Sequence, residues 1–191
     1  MARFHNSGFE WWLIALGLMV VIGLVLEPQL LHLTMPSKHD VTPLRALIVF
    51  GIGLAAVVTI EVLAERLRLA WGRDGGIYRE RYESGLPSWA RAPQREAAVL
   101  VGVAVLEEAV YRGIVLGGAI TLWALTDPAA AALSAGAFGA AHWYFGARQI
   151  VLKSLLGAVL VTVALASGWI VAAAVHAGLN LVLFGLERRT Q

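Results

Sequence analysis

Six polar side chains sit inside runs of sequence that are otherwise apolar. Glu107, Glu108 and Arg112 interrupt the segment from Ala97 to about Leu125, His142 falls in a small-residue run from Ala129 to about Phe145, and His176 and Asn180 interrupt the run from Trp169 to Leu186. A charge at mid-bilayer costs about 2.5–3.5 kcal/mol on insertion scales, so such residues mark function or pairing. Glu108 and Arg112 are four residues apart, on one helical face, where they can neutralise each other. Glu107 is turned about 100° from Glu108 and lacks that local partner. A rise of about 1.5 Å per residue from Ala97 puts it about 15 Å along the helix, near mid-membrane. A carboxylate so placed is a candidate proton acceptor. His176 and Asn180 are also four apart and share a face. Gly136, Gly139 and Gly178 neighbour these residues and let helices approach closely. The pattern predicts one buried polar pocket, built from three helices, that holds and orients a water molecule.

The rest of the chain must place that pocket. Of its 191 residues, 59% are hydrophobic and only 15% are charged, against roughly 25% in soluble domains. Mean hydropathy is +0.72. These values exclude a soluble enzyme, a disordered chain and a nucleic-acid-binding domain, and they predict an all-α membrane protein. The net charge of +2 reflects a small arginine excess rather than a polyanion-binding surface. With no cysteine there is no disulfide framework, thiol nucleophile or cysteine metal site.

Six apolar segments are expected: Trp11–Leu26, Leu44–Ala64, Ala97–Leu125, Ala129–Phe145, Ile150–Ala166 and Trp169–Leu186. The first resembles a signal sequence, but bulky Leu24, Val25 and Leu26 leave no small-residue cleavage site, so it reads as an uncleaved helix. The third is longer than one straight span needs. Residues 65–96 form the one long polar stretch, with seven arginines and breakers at Gly75, Gly76, Pro87 and Pro93. The runs are continuous rather than alternating, so no barrel is expected. With the arginine-rich loop in the cytoplasm, six spans place both termini inside, and the basic residues divide twelve inside to two outside, Arg112 lying within the membrane. Arg148 and Lys153 read as topology determinants, and Glu61, near a span end, as a solvated carboxylate. Trp11, Trp12, Trp123, Trp143 and Trp169 suit interfacial anchors. His5, His32 and His39 read as solvated. Two parts follow: residues 1–96, two helices and a basic loop, and residues 97–191, a core of about four helices.

Three motifs carry a family resemblance. E-E-A-V-Y-R at Glu107–Arg112, F-G-A-A-H at Phe138–His142 and H-A-G-L-N at His176–Asn180 resemble, in order, those of the CPBP intramembrane proteases, the CAAX-processing and bacteriocin-processing enzymes also called the Abi family. The resemblance covers roughly residues 97–186. It implies a glutamate-dependent intramembrane endopeptidase acting on a membrane-anchored or hydrophobic peptide or protein. It makes Glu107 the general base, has His142 position the water or the scissile carbonyl, and has His176 and Asn180 stabilise the oxyanion. Glu108 and Arg112 become a supporting pair, and Phe138 packing. No cofactor is expected. A zinc site can be drawn from the same residues but is not favoured, because there is no H-E-x-x-H spacing and an Asn carbonyl is a poor zinc ligand.

Two other functions share these features. Buried Glu and His also mark ion paths in transporters, although no inverted repeat is visible. A non-catalytic scaffold or immunity protein would keep the fold and use the polar residues to fix helix register. The arginine-rich, lysine-poor composition favours a bacterial plasma membrane, and hence a bacterial substrate.

Overall fold

The computed structural model describes residues 7–26, 41–70 and 93–189. Among these, every regular element is helical: α1 (Ser7–Leu26), α2 (Pro43–Ala70), α3 (Pro93–Glu108), a π-helical segment (Ala109–Val115), α4 (Leu116–Thr121), α5 (Asp127–Ala140), a 3-10 turn (Trp143–Phe145), α6 (Ala147–Ser167) and α7 (Trp169–Arg189). The all-α expectation holds. Residues 71–92 of the basic loop, together with His5, His32 and His39, lie outside the described residues.

Among the described residues, three stretches are long and apolar enough to cross a bilayer: Pro43–Ala64, Ala147–Ser167 and Trp169–Leu186. Ile14–Gly23 in α1 is a shorter apolar helix. The expected third span runs from α3 through the π segment into α4. The expected fourth span is shorter than the sequence suggests. Its helix ends at Ala140, after 14 residues, which is about 21 Å of rise.

Helices α6 and α7 form the centre. They are joined through Gly168 alone, whose φ of 90° is open to glycine but strained for other residues. Helix α5 packs on α6, α3 packs on α7, and α2 lies against both central helices. Their shared core includes Val57, Leu116, Leu156, Leu160, Val161, Val175 and Leu179. Helix α1 packs on α3 and the π segment, where fully buried Leu16 joins a second cluster with Val110, Tyr111 and Phe138.

Close approach of α5 to α6 sets the site. A Cβ on Gly139 would overlap Ser154 and come within 2.6 Å of the Ile150 carbonyl, and one on Gly157 would meet Ala135 and the Phe138 ring at 3.1–3.2 Å. No side chain larger than hydrogen fits at Gly139, and at Gly157 a Cβ would need its neighbours to give by a few tenths of an ångström. Small residues at such contacts are the usual solution where helices pack without water to drive them.

Candidate active site

Glu108 is the centre of a buried chain of polar contacts. Its side chain and that of Arg112 are both fully buried, with Arg112 Nε 3.0 Å from Glu108 Oε2. The two atoms are close enough to pair by charge, although the N–H is not aligned for a hydrogen bond. Arg112 Nη2 donates to the Gly157 carbonyl on α6 at 3.1 Å. The guanidinium lies over the Phe138 ring, 4.7 Å from its centroid, a cation–π contact. The pairing expected from the four-residue spacing is therefore present.

The other carboxylate oxygen, Glu108 Oε1, is 2.9 Å from Nδ1 of His176 on α7. A carboxylate paired with arginine only accepts, so Nδ1 carries the proton and donates. That fixes the ring and turns Nε2 toward Glu107, whose Oε2 is 3.8 Å away. Glu107 is 5% exposed, as is His176. The two carboxylates thus hold opposite sides of one imidazole. Sequence spacing gave Glu107 no partner along its own helix, and its neighbour comes from α7 instead.

His142 stands differently. It lies just beyond α5, in the turn that leads to Trp143–Phe145, and not within a helical span. Its backbone N–H bonds the Gly139 carbonyl at 3.0 Å, a tightened last turn. Nδ1 faces the Phe138 carbonyl at 2.8 Å, so the ring caps the helix end and Nε2 is its free acceptor. The ring is half-buried and meets the Phe138 ring edge-on at 4.9 Å. Phe138, 1% exposed, also meets His176 at 5.7 Å and Tyr111 at 5.3 Å. Contacts given by the structure join His142 to the cluster through Phe138 rather than through Glu107. Phe138 is packing, as expected, and it is the packing that spaces the two histidines.

Asn180, one turn along α7 from His176, donates from Nδ2 to the Leu100 carbonyl on α3 at 3.2 Å. That bond ties α7 to α3 and uses one of the amide's two N–H donors. His176 and Asn180 do share the face toward α3. Among the described residues no three His, Cys, Asp or Glu side chains converge as a metal set.

One expectation outside the motifs changes: Glu61 is not a solvated carboxylate. Lys153 Nζ on α6 lies 3.1 Å from Glu61 Oε1 on α2, with both side chains only 13–14% exposed. Helix α2 packs against α6, so Glu61 faces that helix rather than open water. Exposed Arg148 reaches the Ala64 carbonyl at 2.6 Å. Sequence reasoning also passed over Ser134, whose hydroxyl donates to the Tyr111 carbonyl at 2.7 Å. The available signal was its spacing of four from Phe138 and eight from His142, which puts all three on one face.

These features define an all-helical integral membrane protein with a carboxylate–histidine cluster buried among its helices. A family model described as Type II CAAX prenyl endopeptidase Rce1-like matches residues 95–182, the stretch that holds all three motifs and every member of the cluster. The match agrees with the resemblance carried by the motifs. No curated protein and no solved structure matches the chain.

Proposed function

We propose that the protein is an intramembrane endopeptidase that hydrolyses a peptide bond of a membrane-associated protein or peptide with water activated by Glu107. The observation that carries this reading is the His176 ring held between two buried carboxylates, at 2.9 Å from Glu108 and 3.8 Å from Glu107. Glu108 behind Nδ1 orients the ring, as a buried carboxylate does in hydrolytic triads. Glu107 takes a proton from water as the water oxygen bonds to the scissile carbonyl carbon. The negative charge that develops on the carbonyl oxygen is met by the His176 ring, once it carries a second proton on Nε2, and by the second amide proton of Asn180. As the carbon–nitrogen bond breaks, the proton held by Glu107 passes to the leaving amine. His142, with Nδ1 engaged by Phe138, offers Nε2 to position the water or the substrate. Arg112 balances the charge of Glu108.

In this reading residues 97–191 form the catalytic core, while residues 1–96 supply two further helices and a basic loop. The protein lies in a bacterial plasma membrane with both termini in the cytoplasm. Because the chain has no cysteine, single cysteines introduced near either end test that orientation directly with an impermeant thiol reagent. No metal takes part, and a chelator leaves turnover unchanged.

The deciding experiment is cleavage of a lipid-anchored peptide by purified protein in liposomes. Glu107→Gln and His142→Ala each abolish cleavage while still inserting and remaining monodisperse. Normal processing by both variants sinks the proposal.

A further inference from the structure

Ser134 belongs to none of the three motifs, yet it is fully buried on α5 and donates to a backbone carbonyl on another helix. Its acceptor, the Tyr111 carbonyl, lies inside the π segment. That carbonyl also accepts the N–H of Leu116, five residues on. In an α-helix it would accept from Val115. Both of its lone pairs are therefore in use, one along the helix and one across to α5. A hydroxyl that reaches a helix carbonyl from the side draws it away from the axis, which favours the longer bond over the α-helical one.

The register of this segment bears on the site. The π segment begins directly after Glu107 and Glu108, and it contains Arg112. Arg112 bonds Gly157 and pairs back to Glu108, which in turn holds His176 Nδ1. A return to α-helical register would turn Arg112 relative to Glu108 and pull it from Gly157. The same α5 face continues through Phe138 to His142, so the Ser134 bond also fixes the helix that delivers the second histidine.

We propose that Ser134 is a positioning residue: its bond to the Tyr111 carbonyl holds Ala109–Val115 in π register, so that Glu108 keeps His176 Nε2 turned toward Glu107. The activity part of this proposal rests on the protease reading; the register part does not.

The test compares full-length wild type, Ser134→Ala and Ser134→Thr in liposomes, by kcat and KM on a lipid-anchored peptide and by amide hydrogen exchange. In Ser134→Ala, kcat falls at least about tenfold with KM within about twofold, and exchange at residues 111–116 quickens at least about tenfold while α6 and α7 stay protected. Ser134→Thr, which keeps the hydroxyl, restores both. Should the threonine variant not accumulate, Ser134→Cys, close in shape but a weak donor, falls between wild type and alanine. Wild-type exchange at 111–116 in folded Ser134→Ala overturns the proposal. So does faster exchange there with unchanged kcat, and so does a uniform rise across all helices. If wild type cleaves nothing and Glu107→Gln changes nothing, the protease reading fails, and the exchange measurement still decides the register.

Discussion

Glu108–Arg112 and Glu61–Lys153, two ion pairs among the described residues of the bundle, differ in every respect that matters. Glu108 and Arg112 sit four residues apart on one helix, with no exposure. Glu61 and Lys153 are 92 residues apart, join α2 to α6, and keep 13–14% exposure. The first pair has further partners within the proposed site, since Glu108 holds His176 and Arg112 holds the Gly157 carbonyl. The second ties a helix outside the matched region to the core. A buried pair gives weak evidence of stability because desolvation offsets its attraction. What separates a structural pair from a working one is therefore whether a carboxylate oxygen is left over to orient something else.

Breaking the first pair has the largest expected effect. Glu108→Ala leaves a buried guanidinium without its counter-charge, which costs roughly 3–5 kcal/mol of stability, and it removes the anchor of His176. Turnover falls by more than about a thousandfold, a loss on the scale of disrupting a catalytic triad. The double variant Glu108→Gln with Arg112→Met recovers much of the stability, measured by unfolding in detergent, but not turnover. Recovery of both would reduce this pair to a register device like the other.

Asn180 comes next. Asn180→Ala lowers kcat by about a hundredfold if its free N–H meets the oxyanion. If it serves only as a tie to Leu100, the change costs about 1 kcal/mol of stability and leaves kcat near wild type. Kinetics and unfolding on the same sample separate the two, and the second result would move Asn180 from the first group of contacts to the second.

The smallest effect belongs to the second pair. Glu61→Gln with Lys153→Met lowers stability by about 1 kcal/mol or less and keeps kcat within about threefold of wild type. A dead double variant would break the contrast, because it would bring the α2–α6 pair into the chemistry.

Much of this was legible from residue spacing. The Glu108–Arg112 pair, the shared face of His176 and Asn180, and the apolar runs of α2, α6 and α7 all follow from helical periodicity and length. Contacts between segments distant in sequence did not follow. Nothing local to Glu61 announces Lys153, and nothing local to Glu108 announces His176, because the fold alone brings them together. The end of α5 was hidden for another reason. Phe138–His142 contains two alanines, strong helix formers, and the helix stops there by capping itself with the His142 ring. The π segment was equally silent, since the sequence AVYRGIV has nothing that sets it apart from an ordinary apolar helix.

The single residue between α6 and α7 bears on how the molecule is assembled. With Gly168 as their only joint, these two helices are tied into one hairpin that carries the Gly157 carbonyl and His176 together. The acceptor for Arg112 and the ring for Glu108 therefore sit on one body, so a single placement of that hairpin against α3 and the π segment satisfies both contacts.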